Sequence, residues 1–100
     1  MLIIREVFTA KPGQASKLAK LFKKVFASDP TARVMTDMVG DYNTVVVDMQ
    51  VKSLAEFEKQ MEEMKSGKPD PKIDAQTMEE MSKYTEMYLT GRREIYQVVE

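Results

Sequence analysis

The 100-residue sequence contains no histidine, no cysteine and no tryptophan. Without histidine, the chain lacks the usual general base near neutral pH and the commonest metal ligand. Without cysteine, it lacks disulfides, thiolate ligands and a thiol nucleophile. Because histidine is absent too, Ser-His and Cys-His catalysis are both excluded. Any catalysis must therefore use carboxylates, arginine, tyrosine and the reactivity of the substrate itself.

The sequence also lacks an excess of charge of one sign and any long apolar run. The net charge is −1, so we expect no general attraction to nucleic acid or anionic lipid. No run approaches the length of a membrane span, and the N-terminus lacks the pattern of a signal peptide. The lack of cysteine is compatible with a reducing compartment, and we expect a cytoplasmic protein.

Glycine is sparse, and its four copies are scattered. They form neither a phosphate loop nor a dinucleotide fingerprint. Adjacent acids such as Glu62-Glu63 and Glu79-Glu80 point apart on a helix and make poor chelators. We therefore expect no metal site and no cofactor.

The order of the predicted elements is strand-helix-strand-strand-helix-strand, with an extra helix before the last strand. Length and composition suit one domain over residues 1–100. Hydrophobic periodicity, proline and glycine breaks, and the capping boxes at Ser53–Glu56 and Thr77–Glu80 set the boundaries. The predicted strands are Leu2–Thr9, Ala32–Val39, Thr44–Val51 and Arg92–Val99. The predicted helices are Gln14–Phe26, a segment capped by Ser53, and Thr77–Thr90 closed by Gly91. A hairpin turn is predicted over Gly40–Asn43 and a surface loop over Lys65–Gln76.

This order is typical of an α+β, ferredoxin-like fold whose four-stranded antiparallel sheet carries helices on one face. The first and third strands are apolar on both parities, as central strands covered on both faces should be. In the third strand, Val45, Val47, Met49 and Val51 share the parity expected to face the helices. The opposite parity mixes Val46 with polar residues, so we expect a second copy of the chain to cover that face in a two-fold homodimer.

Three stretches resemble the dimeric α/β-barrel superfamily, and in particular its small antibiotic-biosynthesis-monooxygenase-like and NIPSNAP-like members. They are Arg5–Gly13, a first strand leading through a K-P-G turn; the hairpin Val34–Val51; and the closing strand Gly91–Val98. The resemblance implies a homodimer with a cavity between the sheet and the helices or near the interface. Members include cofactor-free oxygenases, haem-degrading enzymes and haem-dependent peroxidases.

The sequence departs from the catalytic patterns of this superfamily. Haem-using members rely on a histidine ligand, and several monooxygenases use an asparagine with a tryptophan in the pocket. This chain has no histidine and no tryptophan, and its one asparagine, Asn43, falls in the predicted hairpin turn. No catalytic residue of the family is therefore transferred to this sequence.

Charged residues within the apolar strands are the main ligand-pocket candidates. Asp48 interrupts an apolar strand, and Arg5 and Glu6 point to opposite faces of another. A charge between packed layers must be paired or must line a cavity. Asp48, with Arg5 or an arginine of the last strand, therefore forms either a ligand site or an inter-subunit salt bridge.

Tyrosines supply the remaining candidates. Tyr96 shares a parity with Glu94 on the last strand, where it either donates a hydrogen bond to a ligand or packs against the partner subunit. Tyr84 and Tyr88 are predicted one turn apart on the third helix, where they either cover a pocket or pack in the core.

Two functions remain open at this stage. The first is a small-ligand-binding homodimer, such as a cofactor-independent monooxygenase-like or isomerase-like enzyme acting on an apolar or aromatic molecule. The second is a non-catalytic dimeric interaction or structural module. Neither the ligand nor the presence of catalysis follows from the sequence.

Overall fold

The computed structural model describes residues 1–66 and 71–100, which fold as one antiparallel sheet with helices on one face. The strand order is β2-β3-β1-β4, so the first and third strands are central, as predicted. The elements in chain order are β1 Leu2–Ala10, α1 Ala15–Val25, β2 Arg33–Thr36, β3 Thr44–Val51, α2 Leu54–Lys65, α3 Ala75–Met81, a 3-10 turn Tyr84–Glu86 and β4 Tyr88–Gln97.

The register of the sheet separates its side chains into two faces. Arg5 of β1 lies opposite Asp48 of β3 on one side and Glu94 of β4 on the other. Alternation along each strand then assigns every residue to a face. We call the face toward the helices the helix face and the other the open face.

The hydrophobic core lies between the helix face and α1. Ile4, Leu18, Val45 and Val47 are almost completely buried there. The remaining buried members are Ala10, Phe22, Met49 and Val51. The prediction that Val45, Val47, Met49 and Val51 face the helices is confirmed.

Helix α1 follows the Lys11-Pro12-Gly13 turn, as predicted. Gly13 has φ of +81°, in the left-handed region that favours glycine. Leu18, Leu21 and Phe22 form its buried stripe. Two lysines in its last turn face the negative end of the helix dipole.

Helix α2 begins with the predicted cap. The Ser53 hydroxyl accepts a hydrogen bond from the backbone amide of Glu56 at 3.2 Å. No residue of this helix is fully buried, and Leu54 and Met64 are largely exposed. The helix therefore covers the sheet only thinly.

The predicted helix over Thr77–Thr90 is wrong at both ends. The Asp74 carboxylate, rather than Thr77, caps the helix by accepting from the Thr77 amide at 2.7 Å, so α3 already begins at Ala75. The predicted loop Lys65–Gln76 is correspondingly too long, and its residues 67–70 lie outside the described part of the chain.

The last strand begins at Tyr88 rather than Arg92 and ends at Gln97 rather than Val99. The reason is the length of β1: its end needs backbone partners, and Ala10 pairs with Tyr88 while the Lys11 amide donates to the Met87 carbonyl at 2.9 Å. Gly91 therefore lies inside a strand and not at a helix C-terminus.

Strand β2 is shorter than the predicted Ala32–Val39. The carboxylate of Asp37 accepts hydrogen bonds from the amides of Tyr42 and Thr44, at 2.8 and 3.0 Å. This side chain competes with strand pairing and begins the hairpin loop at Asp37. Tyr42 and Asn43 close the loop with positive φ angles.

Replacing Gly91 with alanine should destabilise the fold. A Cβ at this position would lie 3.0 Å from Cδ1 of the Phe8 ring. This ring cannot move aside freely because it packs against the rings of Phe22 and Tyr88, and overpacking costs about 1–3 kcal/mol. Denaturant unfolding of Gly91→Ala measures the loss. The double variant Phe8→Leu/Gly91→Ala should lose less than the sum of its single variants, and strict additivity would contradict the steric explanation.

Candidate functional site

The sheet divides the seven predicted site residues into two groups. Four lie on the open face and three on the helix side. The open-face group is Arg5, Asp48, Glu94 and Tyr96; the helix-side group is Glu6, Tyr84 and Tyr88. The structure therefore contains two candidate sites rather than one.

A row of four charges crosses the open face perpendicular to the strands. In register order it reads Arg33, Asp48, Arg5, Glu94, one residue from each strand. The signs alternate from one edge of the sheet to the other. We call these four residues the charge row.

Asp48 is the buried centre of the charge row, with only 3% of its surface exposed. Its carboxylate accepts from Nε and Nη2 of Arg5 at 2.8 and 3.2 Å and from Nη2 of Arg33 at 3.2 Å. The Arg5 hydrogen bonds hold the pKa of Asp48 below its ordinary value, against the opposing effect of burial. The salt bridge of Asp48 with Arg5 thus forms within one chain.

The β4 end of the charge row is more open. Glu94 accepts from Nε of Arg92 at 3.1 Å, and this hydrogen bond lowers the pKa of Glu94. The guanidinium of Arg5 lies 5.7 Å from the centre of the Tyr96 ring, within the range of a cation–π contact. Tyr96 itself is half-exposed.

Beside the charge row lies an open depression of about 390 Å³. Its apolar lining residues are Val7, Val46 and Met35. Arg5, Thr36, Asp37, Thr44, Arg92 and Glu94 form its polar border.

On the helix side, four residues form what we call the helix-side cluster: Glu6, Tyr84, Tyr88 and Arg93. Nε of Arg93 donates to Glu6 at 2.5 Å. The Glu6 side chain is 18% exposed and that of Arg93 40%. Burial, the neighbouring Tyr88 and the charge of Glu6 raise the pKa of Tyr84, so its hydroxyl stays protonated near neutral pH.

Aromatic rings surround this cluster. The Arg93 guanidinium lies 5.1 Å from the Phe57 ring centre of α2. The Tyr84 and Tyr88 rings are 5.7 Å apart, and Tyr88 lies 4.9 Å from Phe8. The cluster therefore joins one ion pair to several aromatic side chains that also pack against the core.

Tyr88 joins the cluster through an irregularity in the sheet. The β1–β4 register shifts between Thr9 and Ala10, and the shift places Tyr88 opposite Ala10. Tyr84 comes from the 3-10 turn, and not from one helix shared with Tyr88 as predicted. The two rings are nevertheless neighbours, because both pack against the same hydrophobic core.

Arg33 and Arg93 belong to these sites but are not among the site residues predicted from the sequence. Arg93 lies opposite Glu6, and Arg33 opposite Asp48. Either arginine could have been found only from the strand register, which the sequence did not supply. Elsewhere, no group of three or more acidic side chains within residues 1–66 and 71–100 is placed to hold a metal ion.

Solved structures provide the comparison with known proteins. An uncharacterised NIPSNAP domain protein from Burkholderia xenovorans matches with a TM-score of 0.69 and 14% identity, over 99% of this chain and 95% of its own. A NIPSNAP family protein from Agrobacterium tumefaciens matches with a TM-score of 0.77 and 10% identity, over 99% and 86%. A proposed antibiotic biosynthesis monooxygenase from Nitrosomonas europaea matches with a TM-score of 0.68 and 9% identity, over the whole of both chains.

The chain has the fold of these NIPSNAP and monooxygenase-like proteins. The predicted resemblance is thereby confirmed at the level of the fold. No protein-family model matches the sequence, and no curated protein matches it significantly. No helix in the described part of the chain has the length and apolar character needed to cross a membrane.

The substitution Asp48→Asn should destabilise the protein by about 1–3 kcal/mol, since it weakens hydrogen bonds to charged groups. The pKa of Asp48 is lowered by folding, so the carboxylate contributes its full stabilisation above the unfolded pKa of about 3.9. That contribution is lost as the pH falls toward the folded pKa.

Urea unfolding at a series of pH values measures this effect. The stability difference between the natural protein and Asp48→Asn should be constant near neutral pH and shrink below pH about 4. Asp41→Asn, at an exposed position of the hairpin loop, provides a carboxylate-to-amide control and should leave the stability nearly unchanged. A difference that stayed constant down to strongly acidic pH would contradict the assigned ion pair.

Proposed function

We propose that the protein is a homodimer that binds a small apolar or aromatic molecule at the helix-side cluster. The Glu6–Arg93 pair beneath aromatic rings is the observation that carries this proposal. The pair offers a polar anchor, and the rings of Phe57, Tyr84 and Tyr88 offer apolar walls. Pockets for small molecules combine these two elements.

The thin cover of α2 supports ligand access at this cluster. Phe57 packs against the core, but the rest of the helix buries little surface. Elements with few buried contacts open at low free-energy cost. We therefore expect a ligand to reach Arg93 by displacing α2.

The chemistry that suits this cluster is a cofactor-independent oxygenation or isomerisation. Glu6 is a carboxylate that can accept a proton from an acidic substrate, and Arg93 beside it balances negative charge. The protonated hydroxyl of Tyr84 can donate a hydrogen bond to an enolate or phenolate oxygen. The likeness of the fold to a proposed antibiotic biosynthesis monooxygenase supports this class of reaction.

The open face supports the homodimer. Val7, Val46 and Met35 form an apolar patch that no helix of residues 1–66 and 71–100 covers. Met35 is exposed, Val46 is partly exposed and Val7 is buried, and apolar surface left open to water marks interaction sites. A second copy of the chain, packed through the same face, would cover both patches in an isologous interface.

A non-catalytic dimeric interaction module is the second candidate. It is favoured by the completeness of the polar pairing: within residues 1–66 and 71–100, no buried side-chain nitrogen or oxygen lacks a hydrogen-bond partner. A purely structural role needs no unpaired group, whereas a binding site often keeps one for its ligand.

Ligand binding is tested with 2-naphthol as an aromatic probe carrying one hydroxyl. Tyr84→Phe should weaken binding roughly threefold to tenfold, the value of one hydrogen bond. Tyr96→Phe, the same change on the open face, is the control and should bind the probe as the natural protein does. Fluorescence titration measures both affinities. Equal affinities, or a larger loss for Tyr96→Phe, would place the binding elsewhere.

Native mass spectrometry of the purified protein tests assembly and ligand together. The expected species has twice the 11.5 kDa mass of the chain, with or without a retained small molecule. A dominant species of 11.5 kDa at micromolar concentration would contradict the homodimer.

A further inference from the structure

The alternation of the charge row has a consequence for how two open faces can pack. Two sheets that are stacked face to face as a homodimer are related by a two-fold axis lying between them. When the strands of the two sheets are aligned, this axis lies either parallel or perpendicular to the strands. A parallel axis reverses the order of the row, and a perpendicular axis keeps it. These two orientations place different charges opposite each other.

Reversal makes the charge row complementary to itself. The row reads plus, minus, plus, minus across the sheet, so reversal sets Arg33 opposite Glu94 of the partner subunit. It likewise sets Asp48 opposite Arg5 of the partner subunit. Without reversal each residue would face its own copy, and like charges brought together at an interface disfavour association.

The neighbouring row agrees with the same axis. It reads Met35, Val46, Val7, Arg92 across the four strands. Reversal brings Val46 against Val7 of the partner subunit at the centre and keeps the two Arg92 side chains apart, at opposite edges. The same-order packing would place the two Arg92 side chains directly against each other.

The charge row also has hydrogen-bonding capacity left for a partner. A guanidinium has five N–H donors, and the contacts to Asp48 use two groups of Arg5 and one of Arg33. The Arg33 side chain is 70% exposed. Glu94 holds one arginine through Oε2, and a carboxylate accepts more than one hydrogen bond.

We propose that the charge row fixes the register of the homodimer, with the two-fold axis parallel to the strands and Arg33 facing Glu94 of the partner subunit. This inference rests on the homodimer of the proposed function. The two sheets then run with their strands in nearly the same direction, as in aligned sheet packing, where the angle is about 30°.

Charge exchange tests this register. Arg33→Glu and Glu94→Arg should each weaken self-association at least tenfold, because each sets like charges opposite each other at two places. An equimolar mixture of the two variants should recover a heterodimer near the natural affinity, since every facing pair is then opposite in sign. Sedimentation velocity measures the three samples.

Two exposed helix positions supply charge-matched controls. Lys17→Glu and Glu79→Arg make similar changes on surface residues of α1 and α3 and should leave self-association unchanged. The proposed register is wrong if the natural protein dimerises but the mixture of the two variants associates no better than either variant alone. It is also wrong if each single variant dimerises as the natural protein does. If the natural protein itself is monomeric, the homodimer of the proposed function fails.

Cross-linking gives a second measurement that avoids charge reversal beside Asp48. The chain has no cysteine, so Arg33→Cys and Glu94→Cys each introduce a unique thiol. In the proposed register, position 33 faces position 94 of the partner subunit across a sheet spacing of about 10 Å. Two copies of the same position lie at opposite ends of the row, so they are offset along the row by about 14 Å in addition, roughly three strand spacings. A 10 Å bis-maleimide should link the mixed variants efficiently and each single variant poorly; equal linking in all samples would overturn the proposal.

Discussion

The structure depends on one constraint: a four-stranded sheet has two faces, and the helices within residues 1–66 and 71–100 cover only one of them. The helix face buries its valines and Ile4 against α1, and this packing forms the core. The open face keeps a carboxylate, Asp48, almost completely out of water. A buried carboxylate is tolerated only when it is paired, and Arg5 and Arg33 supply that pairing from the two adjacent strands.

The two faces also separate the possible functions of the protein. The helix-side cluster joins an ion pair to aromatic rings beneath a thinly packed helix, a combination suited to a small molecule. The open face joins an apolar patch to a self-complementary charge row, a combination suited to a second copy of the chain. Arg5 and Glu6 are neighbours in sequence, yet strand alternation assigns one to each face of the sheet.

Most of the fold could be predicted from the sequence, because hydrophobic periodicity and capping act locally. The central strands, α1, the Ser53 cap and the face carrying Val45 all follow from such local signals. The region after Ser82 could not be predicted in this way. There, pairing with the end of β1 draws Tyr88 into a strand, and the Phe8 ring occupies the space beside Gly91. The site was predicted in part for the same reason: Asp48 and Glu6 stood out within apolar strands, whereas their partners Arg33 and Arg93 depend on register.

The most direct test of this account is the accessibility of the Val46 methyl groups to a soluble paramagnetic agent, measured by NMR at high and at low protein concentration. Val46 lies on the open face, whereas Val47 is buried against the helices and serves as the internal reference. If a second copy covers the open face, the Val46 signals are protected at high concentration and become broadened on dilution, while those of Val47 stay protected throughout. Val46 signals that are broadened equally at every concentration would contradict it.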